Sequence, residues 1–169
     1  MSPRSIMAAS ACLFLVLSGP VRAAPPVSET SIVAAPHPYD EESDARTEIA
    51  AAREQAKTSG KKVMIVFGAN WCPDCRALAG VLTFKDVHDW TATQYVVVEV
   101  DVGRFNKNLD VAQGFGLDLK HNGIPTVAVL APGGELLNAG DAMVLSDART
   151  MTPQSIVDVL ARWAQATSS

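Results

Sequence analysis

The feature that most restricts this fold is the apolar run Val63-Met64-Ile65-Val66-Phe67, released at Gly68 into Trp71-Cys72-Pro73-Asp74-Cys75. The run has the length of a strand, and a strand apolar on both faces must lie inside a sheet that is covered on both sides. Gly68-Ala69-Asn70 then turns the chain into a helix that begins near Cys72 and runs past Arg76, Leu78 and Leu82. Cys72 therefore stands at a helix start, with Cys75 one turn further in on the same face.

The remaining segments supply partners for that strand. Residues 44–58 read as a helix with Ala45, Ile49, Ala52 and Ala56 on one face and Gly60 at its stop. A short helical piece is expected at 86–91. The β-branched stretch 95–102 reads as a second strand, and 106–114 as a helix. Asn122-Gly123-Ile124-Pro125 is a turn, followed by a strand at 126–130. Ala131-Pro132-Gly133-Gly134 is a tight connection into a fourth strand at 135–139, paired as a hairpin. Thr152-Pro153 opens a last helix that reaches about Ala166 and buries Ile156, Val157, Val159, Leu160 and Trp163. Strand–helix–strand alternation calls for parallel pairing and the closing hairpin for antiparallel pairing. The expectation is an α/β domain over residues 43–169, built on a central mixed sheet of four to five strands flanked by helices.

The N-terminus carries an address. Arg4 precedes the apolar stretch from Met7 to Leu17, Ser18-Gly19-Pro20 breaks it, and Val21-Arg22-Ala23 presents small residues for cleavage. This is the layout of a secretory signal peptide over residues 1–23, with cleavage near Ala23. The run is shorter than the ~20 apolar residues of a membrane span. An uncleaved anchor is the alternative. A lipoprotein reading through Cys12 is opposed by Ala9-Ser10-Ala11, which lacks the large aliphatic usual there. Residues 24–42, rich in proline, alanine and small polar residues, read as a flexible linker. The expected location is the periplasm, or export more generally.

Removing residues 1–23 takes away Cys12 and leaves Cys72 and Cys75, a matched pair. A disulfide closing so short a loop restrains the unfolded chain little, so redox chemistry explains the pair better than stapling does. A zinc site would need further ligands, and His37, His88 and His121 show no ligand spacing. A copper(I) chaperone using the two thiolates is the alternative from another class. No resident metal or cofactor is expected. A net charge of −4 without a basic cluster sets nucleic acid aside.

Disulfide exchange requires a thiolate, and a free cysteine titrates near ~8.5. The unpaired N–H groups and the dipole of a helix start favour negative charge on Cys72. Pro73 pre-shapes the first turn without wasting a donor. Cys72 is thus assigned the attack on a partner disulfide, and Cys75 the resolution of the mixed disulfide.

Over roughly residues 61–165 these features resemble the thioredoxin superfamily. The likeness rests on the strand ending in Phe67, on Ala69-Asn70-Trp71-Cys72-Pro73-Asp74-Cys75, and on Gly123-Ile124-Pro125-Thr126 some fifty residues later. Such a resemblance implies a cis bond at Pro125, packed against the cysteines. It also implies that the Ile124 backbone pairs with an extended substrate chain, and that Trp71 and Gly140 line the same groove. The partners implied are disulfide-containing proteins and a separate membrane or soluble thiol donor, with the domain itself a monomer. Two departures stand out. Thioredoxins proper carry a buried carboxylate where this chain has Val66, and a lysine where it has Val97. Asp74 and Glu99 are the candidates to replace that proton relay, each set against the reading of a solvated side chain. The closer likeness is to exported bacterial members with a C-P-x-C site.

The acid inside the motif bears on direction. A carboxylate on Asp74 opposes a thiolate on Cys72, because like charges raise a pKa. Strong oxidants owe their potential to a stabilised thiolate, so the charge favours a reductase, with oxidase or isomerase as the alternative.

Overall fold

The structure is a computed structural model that describes residues 23–168, so the predicted signal sequence lies outside the described residues except for its last residue, Ala23. Its elements run α1 (Ala45–Ser59), β1 (Lys62–Gly68), α2 (Pro73–Leu82), α3 (Lys85–Gln94), β2 (Tyr95–Asp101), α4 (Leu109–Gln113), α5 (Leu119–Asn122), β3 (Thr126–Leu130), a 3-10 turn at Ala148–Thr150 and α6 (Pro153–Gln165).

The sheet has the order β2-β1-β3, with β1 in the centre as its composition requires. β1 pairs in parallel with β2, from Lys62 opposite Tyr95 to Gly68 opposite Asp101, and antiparallel with β3, from Val63 opposite Leu130 to Phe67 opposite Thr126. Val63 to Phe67 are all buried. α1 is capped by Asp44, which accepts from the backbone N–H groups of Arg46 and Thr47, and it stops at Gly60 in the left-handed region. Its buried residues are the four expected from spacing. α6 starts under the Thr152 side chain, which accepts from Ser155 N–H, and lays Ile156, Val157, Leu160 and Trp163 on the core. Tyr95 Oη donates to the Leu160 carbonyl at 2.6 Å and ties β2 to this helix.

Among the described residues the sheet has three strands, not the expected four to five. The segment 135–139 does return along β3, but it keeps only one bridge, Leu130 to Leu136. A side chain takes over beyond it. Asn138, buried, accepts from Val129 N–H at 2.9 Å and donates to the Val127 carbonyl at 2.9 Å. Its amide thus mimics a peptide unit, which satisfies the β3 edge without a regular fourth strand. Around 106–108 the expected helix start is displaced. Phe105 and Asn108 take left-handed backbone angles, and the helix begins only at Leu109.

The segment read as a linker is laid along the domain. Val27 N–H donates to the Gln154 side chain at 2.8 Å. Ala35 exchanges two hydrogen bonds with Arg76, N–H to carbonyl at 2.9 Å and Arg76 Nε to the Ala35 carbonyl at 2.8 Å. Gly80 makes this crossing of α2 possible, since a Cβ there would stand 2.0 Å from the Val33 carbonyl oxygen. Tyr39, at the end of the segment, is 3% exposed and belongs to the core.

Candidate functional site

β1 delivers the chain to the strand's C-terminal end at Gly68, and the turn Ala69–Trp71 closes with Cys72 N–H donating to the Ala69 carbonyl at 3.1 Å. Cys72 is the N-cap of α2, in extended conformation, and its sulfur accepts from Cys75 N–H at 3.2 Å. A sulfur therefore occupies the place where Ser or Asp usually caps a helix, in line with the first-turn N–H groups. Pro73 fills the first helical position. Cys72 and Cys75 form a disulfide, with Cα atoms 5.3 Å apart. Cys75 is wholly buried and Cys72 is 4% exposed, so the partner that reaches the pair meets Cys72.

The start of β3 closes the site from the other side. The Ile124–Pro125 bond is cis, and the Ile124 carbonyl oxygen lies 3.6 Å from Cys72 Sγ. Thr126 Oγ1 donates to the Gly123 carbonyl at 2.8 Å and tightens the turn. Residues fifty positions apart in sequence thus meet at one sulfur, because β1 and β3 are neighbours in the sheet.

Trp71 is 44% exposed beside the pair, its Nε1 donating to the Gly103 carbonyl at 2.7 Å. Phe105 meets its ring edge-on at 6.0 Å between centroids, and the Arg104 guanidinium lies 5.6 Å from its centroid. Spacing alone did not single out Phe105 or Arg104. Their signal is the turn after β2, whose left-handed Phe105 brings the aromatic ring back over Trp71. A cavity of about 530 Å³ opens here, lined by His37, Asn70, Trp71, Arg104 and Lys107 among others. Gly140 is exposed in the segment after Asn138, and a Cβ there would touch nothing. No described contact joins Gly140 to the cysteine pair.

Asp74 does not stand alone. Its Oδ1 accepts from Arg149 N–H at 3.1 Å and lies 3.5 Å from Arg149 Nε, so the 3-10 turn before α6 carries a cation to the cysteine motif. The negative charge read from the sequence is partly offset in space.

On the buried side, Glu99 stands opposite Val66 in the parallel register, and Asp101 opposite Gly68. Register partners in a sheet project from the same face. A carboxylate is therefore displaced by one strand from the position where thioredoxins proper carry it. Desolvation holds the Glu99 carboxyl above its usual range. Asp101 is 5% exposed, with Lys107 Nζ 3.5 Å from its Oδ2. Tyr39 reaches the same face. Asn70 pins its backbone, accepting from Tyr39 N–H at 3.0 Å and donating to its carbonyl at 2.9 Å. Among the described residues, no group of three or more His, Cys, Asp or Glu converges as metal ligands would.

Residues 44–132, more than half of the chain, match the family described as thioredoxin-like. A solved structure described as a disulphide isomerase from Xylella fastidiosa Temecula1 is 39% identical, with a TM-score of 0.71, over 75% of this chain and 95% of that one. A structure described as DsbH oxidoreductase shares the fold at 17% identity and a TM-score of 0.52, over 83% of this chain and 94% of that one. No curated protein matches the chain. A helix-capping cysteine disulfide-bonded to its buried partner one turn on, and a cis-proline turn facing the first sulfur, complete the pattern: the chain belongs to the thioredoxin-like family.

Proposed function

We infer that this protein is a reductase of disulfides in exported proteins. The observation that carries the direction is Asp74 in the first turn of α2, whose carboxylate opposes a thiolate on Cys72 and so lowers the potential; the exchange chemistry itself rests on the cap of that helix. Cys72 Sγ receives the Cys75 N–H at the positive end of a helix, which favours the thiolate form in the reduced state. That thiolate attacks one sulfur of a partner disulfide, and the other partner sulfur leaves as a thiolate. Cys75, as thiolate, then attacks Cys72 Sγ. The Cys72–Cys75 bond forms, the mixed disulfide breaks, and two electrons have passed to the partner.

The exposed Trp71 and the Ile124 backbone beside Cys72 suit an extended substrate chain, with Pro125 holding the turn. The signal-like pattern of residues 1–23 supports work outside the cytoplasm, where a separate membrane or soluble thiol donor would recharge the pair. Asp74 keeps its effect on the potential, reduced in size by Arg149.

A second reading is disulfide isomerisation, favoured by the 39% identity to a protein described as a disulphide isomerase. Both start from reduced Cys72 and differ in what ends the cycle. An isomerase lets the substrate's own thiol release Cys72, whereas a reductase uses Cys75. The test is a Cys75→Ser variant in a scrambled-disulfide refolding assay. Loss of net reduction with accumulation of Cys72-linked substrate supports the reductase. Unchanged reshuffling in that variant assigns isomerisation. Failure of Cys72 to be captured by any disulfide substrate would overturn both.

A further inference from the structure

The Tyr39 hydroxyl is a buried polar group with no hydrogen-bond partner among the described residues. Buried hydroxyls are nearly always paired, so one left open beside a reactive centre needs a reason. Its place is defined by Gly68. A Cβ built there would stand 2.1 Å from Tyr39 Oη and 3.0 Å from Cys75 Sγ. The hydroxyl and the sulfur thus flank one small gap, which only glycine at 68 leaves open.

In the disulfide form Cys75 Sγ is bonded to Cys72 and carries neither proton nor charge. Once the pair is reduced, or once Cys72 is held in a mixed disulfide, Cys75 must pass through a thiolate in a wholly buried place. A buried anion without a donor is costly, and the group that usually serves this step in thioredoxins proper is missing at Val66. The charged neighbours on this face do not help. Glu99 and Asp101 on β2 are both acids, and Lys107 is drawn to Asp101. Cys72 on the helix cap offers its own sulfur, and Asp74 is engaged by Arg149. Tyr39 is the neutral donor available. Burial, with Glu99 and Asp101 adding to it, keeps its hydroxyl protonated far above its usual range.

We propose that the Tyr39 hydroxyl, carried in by the segment that crosses α2, is the positioning residue for the resolving cysteine: it donates a hydrogen bond across the Gly68 gap to the Cys75 thiolate. Tyr39 keeps its own proton throughout. The Cys75 proton leaves to solvent, the thiolate attacks Cys72 Sγ, the Cys72–Cys75 bond forms, and the departing partner thiolate is protonated from solvent. The proposal rests on the dithiol–disulfide cycle inferred above.

An aromatic disulfide probe, dithiobis(nitrobenzoate), separates the two steps in one trace on the reduced mature protein. The first thionitrobenzoate is released when Cys72 attacks, and the second when Cys75 resolves. Tyr39→Phe keeps the ring in the core and removes the oxygen. The second phase is expected to slow about ten-fold near neutral pH, with its pH profile moved upward, while the first phase changes less than about two-fold. A second phase with wild-type rate and pH profile overturns the proposal. So does a displaced profile in Glu99→Gln with none in Tyr39→Phe, which would assign the role to Glu99. Wild-type protein with isotope-labelled tyrosine provides a check that needs no variant. The Tyr39 Cζ chemical shift should step with the Cys75 titration, and a flat response overturns the role. A wild-type trace with no second phase at all refutes the redox cycle itself, which is a different and separately visible failure.

Discussion

Replacing Asp74 by asparagine tests how the motif sets the direction of electron flow. Asp74 lies in the first turn of α2, only 14% exposed at its side chain, and shares that turn with the capping Cys72. Unit charges about 10 Å apart interact by ~0.4 kcal/mol in the dielectric of water and by ~1.7 kcal/mol at an effective dielectric of 20. A thiolate on Cys72 and a carboxylate on the same turn should fall between these limits, near ~1 kcal/mol. For a two-electron couple 1.4 kcal/mol corresponds to ~30 mV, so Asp74→Asn should raise the reduction potential by ~20 mV. The direction follows because stabilising the thiolate stabilises the reduced form. Arg149 gives the opposite perturbation. Its guanidinium lies 3.5 Å from the carboxylate, and Arg149→Met leaves that charge uncompensated, so the potential should fall by a similar amount. Equilibration with glutathione or dithiothreitol, followed by quantifying the oxidised fraction, reads both variants. A potential that stays fixed or falls in Asp74→Asn refutes the electrostatic reasoning. If Asp74→Asn and Arg149→Met shift it in the same direction, the Asp74–Arg149 contact does not act through charge.

Other consequences follow from single contacts. Asn138→Ala leaves Val129 N–H and the Val127 carbonyl without partners on the β3 edge, which should cost ~2–4 kcal/mol in denaturant unfolding. A loss below ~0.5 kcal/mol would show that the edge finds other partners. Gly80→Ala drives a methyl into the Val33 carbonyl, so residues 33–35 should lift from α2 and the Ala35 N–H should exchange faster. Unchanged protection at Ala35 contradicts the close approach. Glu99 has a folded-state pKa above its ordinary value of 4.5, so its contribution is fully present below that value and is lost as pH rises through the folded pKa. Glu99→Gln should therefore gain stability relative to wild type between acidic and neutral pH, and a stability difference that stays constant over that range argues against a desolvated acid.

Much of this protein can be read from its residues one segment at a time. The unbroken apolar run at 63–67 demands a central strand, the spacing of Ala45, Ile49, Ala52 and Ala56 demands a one-sided helix, and Thr152-Pro153 demands a helix start. Cys72 at a strand-to-helix turn is equally local, since the capping N–H belongs to Cys75, three residues on. Local periodicity and capping decide these features, and both are written in consecutive residues. The strand count was not legible. Nothing in the composition of residues 135–139 says that the Asn138 amide will stand in for a backbone ladder, because that depends on where the β3 edge runs.

What the sequence alone determined is the pairing of Cys72 with Cys75 and the helix start beneath them, because each depends on neighbours within one turn of chain. The tertiary structure decided everything that tunes the pair. It brought Arg149 to Asp74, stood Glu99 beside Val66, and folded residues 24–42 back so that the Tyr39 hydroxyl flanks the Gly68 gap that Cys75 Sγ also borders. Electrostatics and burial act through space over a few ångströms, and sequence separation carries no information about them until the sheet has set which strands are neighbours.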